Sequence, residues 1–265
     1  MGYKAADTSL MVLDMVGFLG TVLFSLIMGF SIYLSLPIVL WRKMSERVGR
    51  LLNAVAIGIL AFLMCDVFSN VAASLYAGGS LYGYGANPAL SAVFAASLAV
   101  GFFMLYVFEN SSPRGLSPAR MSFMIALGMG LQNLTEGLVF GSLAAGIGPL
   151  SGVALVVLVG FILQNITEGF PIAAPFLRHD QKKLGTMALL FLLGGLPTVI
   201  GGVVGFYYSS AMFNVAFDGL AIGAILYVLL PMIKHQIRDM DNMRQRLVYA
   251  GVFVGFLIGF LVNLI

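Results

Sequence analysis

The sequence predicts an all-α membrane protein of eight transmembrane helices, and three observations lead to this fold class. Of its 265 residues, 60% are hydrophobic and only 9% are charged, and the mean hydropathy is +1.00. Soluble domains carry about 25% charged residues, so the composition excludes a water-soluble core. Eight apolar runs are long enough to cross a hydrocarbon layer. Basic residues occupy alternate connections between these runs.

The predicted helices follow the apolar runs in chain order and form one membrane domain, residues 1–265. They cover residues 15–41, 51–77, 89–109, 119–144, 149–177, 184–208, 210–233 and 247–265. The first run is too long for a signal-peptide core and lacks a cleavage site, so we interpret it as a membrane helix. The least marked division separates the sixth and seventh helices, where Tyr207 to Ser210 and Asn214 indicate a turn. One broken helix is the alternative there.

The basic residues predict how the chain is oriented in the membrane. Thirteen of the fourteen lie in the connections after helices 1, 3, 5 and 7. They are Arg42, Lys43, Arg47, Arg50, Arg114, Arg120, Arg178, Lys182, Lys183, Lys234, Arg238, Arg244 and Arg246. Short cytoplasmic loops retain basic residues. We therefore predict a multi-pass protein of the cell membrane with both termini extracytoplasmic.

The charge and the cysteine content of the chain limit which partners and cross-links it can have. The net charge is +3, and the basic residues lie in short clusters between apolar runs. We therefore expect no basic face for binding nucleic acid. A single cysteine, Cys65, supplies neither a disulfide nor a structural zinc site. We expect the lipid bilayer as a partner, expect no nucleic acid and no prosthetic group, and leave a homodimer open.

Four acidic residues lie well inside the predicted spans, and two of them belong to copies of one motif. The segments 132–137 and 164–169 both read Gln-Asn-x-Thr-Glu-Gly and differ only by Leu134 against Ile166. Charged side chains in the bilayer core are costly and face a cavity or a partner. The duplicated motif is therefore the leading candidate for a functional site.

The chemistry of the motif favours a cation. Residues three and four apart share a helix face, so two amides and one carboxylate converge on each helix. The fourth and fifth helices are antiparallel in the predicted orientation, so the motifs can meet at the membrane midplane about a pseudo-twofold axis. Carboxylate and amide oxygens suit a partly dehydrated divalent ion. The predicted ligands are Gln132, Asn133, Glu136, Gln164, Asn165 and Glu168. The alternative is that they only bond to one another between helices.

Other polar residues define a candidate path for the ion. The outer halves of helices 2 and 7 each contain a pair of polar residues spaced four apart, and these pairs can attract a cation. They are Asp66 with Asn70 and Asn214 with Asp218. The alternative is that they bond to neighbouring helices. His179 and His235 lie at the cytoplasmic edge, where a solvated histidine is the default and a role in metal exit is the alternative.

At the duplicated motif the chain resembles the ZIP family of metal transporters. Family members carry His-Asn-x-Pro-Glu-Gly in helix 4 and Gln/His-Asn/Asp-x-Pro-Glu-Gly in helix 5. The resemblance extends over the whole chain and includes the helix 2 segment 58–66, the helix 7 segment 223–228 and the glycine-rich segment 255–260. It implies a ZIP-like helix bundle with inverted pseudo-symmetry about helices 4 and 5. It also implies transport of zinc, iron(II) or manganese into the cytoplasm.

The departures from the family pattern change the expected ion. Gln132 stands where family members have histidine, and Pro197-Thr198 and Pro231-Met232 stand where helices 6 and 7 usually carry acidic ligands. Threonine replaces proline before each motif glutamate. These losses favour one ion site without imidazole, which suits manganese, magnesium or iron(II) better than zinc.

Two other function classes remain beside transport of a divalent cation. The lost ligands are consistent with a transport-inactive sensor or scaffold, and paired glutamates are consistent with a proton-coupled carrier of another solute. An intramembrane enzyme is not expected, because the sequence has no His-Glu-x-x-His pair, no histidine within a span and no Gly-x-Gly-Asp segment.

Overall fold

The structure, a computed structural model, describes residues 2–37, 45–76, 86–111, 117–177, 184–237 and 242–264. Within these ranges, the side chains of residues 2–14, 46, 235 and 242–244 are not described. Several basic residues that set the predicted orientation, including Arg42, Lys43, Arg114 and Arg178, lie outside the described residues, and so does His179.

The described residues are mostly helical and contain no strand. The helices are α1 (Gly2–Ser31), α2 (Glu46–Tyr76), α3 (Pro88–Asn110), α4 (Pro118–Ile147), α5 (Gly152–Ala173), α6 (Leu184–Tyr207), α7 (Ala211–Ile237) and α8 (Asn242–Val262). Short 3-10 segments, Ile32–Ser35 and Ala174–Phe176, continue α1 and α5. Eight of these helical stretches are long and apolar enough to cross a membrane, which confirms the all-helical, multi-pass prediction.

The boundaries follow from local sequence. Asn87 and Ser117 cap α3 and α4 through side-chain oxygens, and a proline occupies the first turn of each helix. Residues 208–210 leave the helical conformation, so α6 and α7 are separate helices, as the predicted turn requires. The α1 helix extends beyond the predicted run at its start and includes Asp7 and Asp14.

The α4 helix is the most buried span and α3 is among the least buried. Glycines bring α4 against α6: an added Cβ at Gly201 would lie 2.1 Å from the carbonyl oxygen of Leu134. The largest apolar core includes Met129, Phe191 and Ile225 and joins α2, α4, α6 and α7. It fills the half of the bundle where α4 begins. The arrangement leaves polar side chains of α4 to face α5 near the middle of both helices.

Candidate functional site

A short connection sets the relation between the two motifs. Gly148 ends α4 with a φ of 85°, a conformation that favours glycine, and Ser151 begins α5 by accepting a hydrogen bond from the backbone N–H of Ala154. The two helices are therefore antiparallel neighbours. Glu136 on α4 and Gln164 on α5 both lie about three turns from this connection, so they are level with each other.

The amide of Gln164 joins the two motif carboxylates. Its Nε2 donates to Oε1 of Glu136 at 2.5 Å and lies 3.4 Å from Oε1 of Glu168. Gln132 also donates from Nε2 to Oε1 of Glu136, at 3.2 Å. All four side chains are buried. The structure thus brings these predicted site residues together, two from each helix.

A second group of motif side chains lies about one helical turn further from the α4–α5 connection. Glu168 is completely buried, and Asn133 of α4 lies beside its carboxylate. The Nδ2 of Asn133 donates to the carbonyl oxygen of Gly194 on α6 at 3.0 Å. Asn165 turns to its own helix and donates to the carbonyl oxygen of Phe161 at 3.0 Å. These two asparagines therefore hold the backbone around the site with their nitrogens.

Buried oxygens of the motif have no hydrogen-bond donor among the described residues. These are Gln132 Oε1, Asn133 Oδ1, Glu136 Oε2, Asn165 Oδ1 and Glu168 Oε2. A buried acceptor without a donor costs about 1–3 kcal/mol, and more when it is charged. All of these orphaned atoms are electron-pair donors. The arrangement suits a positive ion that accepts oxygen ligands.

The glycine that ends each motif lets another element approach closely. A Cβ added at Gly137 would lie 2.2 Å from the carbonyl oxygen of Thr198 on α6. A Cβ added at Gly169 would lie 1.8 Å from the hydroxyl oxygen of Ser35, in the 3-10 segment after α1. The motif glycines therefore have a packing role, next to the polar role of the preceding residues.

A polar cavity of about 440 Å³ leads to the site. Gln132, Glu136 and Gln164 line its inner end, while Glu168 lies behind them. The cavity also reaches Ser74 near the end of α2. It therefore opens towards the end of the bundle where α2, α4 and α6 finish, opposite the largest apolar core.

All four residues of the predicted ion path line this polar cavity. Asp218 is buried beside Thr135 of α4, and Asp66 accepts a hydrogen bond from Nδ2 of Asn263 at 2.7 Å. Asn70 and Asn214 lie on the same helices, nearer the opening. The sequence interpretation missed Asn263, although it is a polar residue at the end of an apolar helix. The two aspartates therefore fit both interpretations, since they face the cavity, where they could attract a cation, and they also contact neighbouring helices.

The remaining predicted residues do not join this arrangement in the described structure. The side chain of His235, like the whole of His179, lies outside what the structure describes, so the exit role stays a prediction. Among the described residues, no three side chains from His, Cys, Asp and Glu group together as a metal site. The candidate site instead combines two carboxylates with amides, as the motif composition requires.

Comparison with protein-family models gives no match for this chain, and comparison with curated proteins gives none at a significant level. The resemblance to the ZIP family therefore rests on the motif and helix segments of the sequence itself.

Proposed function

We propose that this protein transports a divalent metal cation into the cytoplasm through a site between α4 and α5, in the manner of the ZIP family that its sequence resembles. One observation carries the proposal: Gln164 donates to the carboxylates of both Glu136 and Glu168, at 2.5 and 3.4 Å. Two buried carboxylates that share one neutral amide need a bound cation or a proton to compensate their charge. A divalent ion supplies that charge and accepts the orphaned oxygens.

The atoms available as ligands at the site favour some divalent ions over others. Amide and carboxylate oxygens favour manganese and iron(II), whereas imidazole and thiolate favour zinc. The described lining of the polar cavity contains neither histidine, cysteine nor methionine. The family resemblance includes zinc, but the residues at this site favour manganese or iron(II) as the substrate.

The polar cavity supplies a route from one side of the membrane. Arg47, Arg120, Lys234 and Arg246 all lie at the opposite end of the bundle from its opening. Because short cytoplasmic segments retain basic residues, the opening faces the extracytoplasmic side, and both termini do so too. Asp66 and Asp218 then raise the local concentration of cations above the site. Apolar side chains fill the cytoplasmic half, so inward release requires a rearrangement of the helices.

The packing of the outer helices supports inverted pseudo-symmetry. The α3 helix packs closely on α7, where a Cβ at Gly223 would lie 2.1 Å from the carbonyl oxygen of Leu98. The α8 helix packs as closely on α2, where a Cβ at Gly255 would lie 2.0 Å from the carbonyl oxygen of Val55. If helices 1–3 correspond to helices 6–8, these two contacts are equivalent. The α4–α5 pair would then lie on the axis.

Manganese uptake into proteoliposomes tests the proposal. Glu136→Gln and Glu168→Gln keep the size of the side chain and remove its charge, so each should abolish uptake and high-affinity binding. Glu109→Gln is the matched control, because Glu109 contacts Tyr227 on α7, away from the site. Unchanged uptake by both site variants, with the control also active, would refute the assigned site.

A proton-coupled carrier of another solute is the second candidate function, because the paired carboxylates linked by Gln164 can also hold a proton. The same proteoliposomes separate the two. A carrier of this kind moves protons without binding manganese, whereas a metal transporter binds manganese before any flux occurs. A sensor or scaffold would bind the ion without moving it.

A further inference from the structure

An apolar groove lies on the outer surface between α2, α7 and α8, at the end of the bundle that carries the basic residues. Its volume is about 520 Å³. It is lined by Ile57, Ile233, Gln236, Ile237, Val248, Tyr249, Val252, Phe253 and Phe256. We name it the α7–α8 groove. It is separate from the polar cavity and shares no lining residue with it.

The α7–α8 groove is accessible from the lipid. Phe253 is 68% exposed and Tyr249 is 61% exposed, so the aromatic wall of the groove is not covered by other described elements. From Val248 to Phe256 the groove follows α8 for about 12 Å, at 1.5 Å per residue. An elongated apolar channel that runs along a membrane helix has the shape and chemistry of a lipid acyl chain.

One end of the groove is basic. Lys234 and Arg246 are both exposed, and each lies within three residues of groove-lining positions on its own helix. Arg246 precedes Tyr249 by three residues and Phe253 by seven, so all three share one face of α8. Lys234 precedes Ile237 by three residues on α7. A lipid phosphate at the membrane surface would therefore meet two positive charges as its chain enters the groove.

The groove also contains one buried polar group. Gln236 is 1% exposed, and its Nε2 donates to the carbonyl oxygen of Arg50 at 2.7 Å. Its Oε1 has no donor among the described residues. The buried amide therefore fixes the end of α7 to the start of α2 behind the groove.

We infer that the α7–α8 groove binds an anionic phospholipid, with one acyl chain along Val252 and Phe253 and the phosphate between Lys234 and Arg246. Basic pockets between membrane helices on the cytoplasmic side bind anionic headgroups in this way. A second apolar groove, lined by residues that include Leu138, Val204 and Phe217, provides a contrast. It lies beside the connection between α6 and α7, where the sequence has no basic residue to meet an anionic headgroup.

Native mass spectrometry of the delipidated protein in detergent tests the inference. Dioctanoyl phosphatidylglycerol and dioctanoyl phosphatidylcholine serve as probes that differ in headgroup charge. The wild-type protein should bind phosphatidylglycerol about thirtyfold more tightly, the size expected from two basic side chains near a membrane surface. Lys234→Gln with Arg246→Gln should remove this preference. Lys182→Gln with Lys183→Gln, which removes the same charge from the sequence segment between α5 and α6, should keep it.

Two further variants make the outcome decisive. Val252→Trp fills the groove and should weaken binding of both probes, whereas a charge effect alone would leave it unchanged. In a Cys65→Ser background, Phe253→Cys should remain monomeric under oxidation. A disulfide-linked dimer would show that a second copy of the chain covers the groove and would overturn the inference. Equal affinity of the wild-type protein for the two lipids would overturn it as well.

Discussion

The side-chain amide of Gln164 donates a hydrogen bond at 2.5 Å to the carboxylate of Glu136 on the neighbouring helix. The two residues are level because the α4–α5 connection places each about three turns from its end. Each belongs to a different copy of the same motif, at a different position within it. The glutamine of one copy therefore meets the glutamate of the other, which is the contact expected when a motif is repeated on antiparallel helices.

Gln164→Leu should destabilise the metal-free protein, because it removes the donor to Glu168 and one of the two donors to Glu136 while keeping a similar side-chain volume. The expected cost is about 1–3 kcal/mol, the cost of an unsatisfied buried acceptor. Thermal unfolding in detergent with a chelator measures it. Gln245→Leu is the control: Gln245 donates to the Tyr249 hydroxyl at 2.7 Å on the exposed surface, and its loss should cost under about 0.5 kcal/mol. Equal effects of the two changes would contradict a bridging role for Gln164.

Gln132→His should shift the preference of the site from manganese towards zinc. Gln132 is 2% exposed, lines the polar cavity and donates to Glu136 at 3.2 Å, so an imidazole there would reach the same ion. Competition of zinc against manganese uptake measures the shift. Asn110→His, at the exposed end of α3, should leave the competition unchanged. If Gln132→His behaved like this control, residue 132 would not be a ligand.

The fold could be predicted closely because hydropathy and loop charge are local properties. A span needs about twenty apolar residues, and nothing in the chain other than the membrane helices satisfies that length. The turn at Ser209 was the least marked boundary, yet a few polar residues were enough to indicate it. Pro171 and Pro175 each remove a backbone donor and so predict a kink near the end of α5, and the 3-10 segment Ala174–Phe176 lies there.

The pairing of the motifs could be predicted, but the exact partners could not. Spacing along one helix places Gln132 and Glu136 together, whereas the contact of Asn133 with Gly194 depends on where α6 packs. The bond between Asp66 and Asn263 likewise joins residues that are far apart in the chain. Such contacts depend on helix packing, which local periodicity does not encode.

Asp66→Asn and Asp218→Asn should raise the KM for manganese and leave the maximal rate close to that of the wild-type protein. Both side chains line the polar cavity above the site, where negative charge concentrates cations. Initial uptake rates at several metal concentrations separate the two parameters, and high ionic strength should reduce the difference between variant and wild type. A lower maximal rate with unchanged KM would instead place these residues in the transport step.

Gly137→Ala should destabilise the bundle, because the added Cβ would lie 2.2 Å from the carbonyl oxygen of Thr198. Overpacking of this kind costs about 1–3 kcal/mol. Gly160→Ala is the matched control on α5, where no described atom lies within 4 Å of the added Cβ. Thermal unfolding of the two variants side by side checks the difference. Similar stability of both would show that α4 and α6 can separate at Gly137 without cost.

The accessibility of two substituted cysteines should reveal which way the polar cavity faces. Ser74→Cys places a thiol in the cavity near the end of α2, and Lys234→Cys places one on the exposed surface at the other end of the bundle. Both changes require a Cys65→Ser background, because Cys65 is the only cysteine and is exposed. In intact cells, a membrane-impermeant maleimide should modify Ser74→Cys, and it should modify Lys234→Cys only after permeabilisation. The opposite labelling pattern would invert the orientation and show that the polar cavity opens to the cytoplasm.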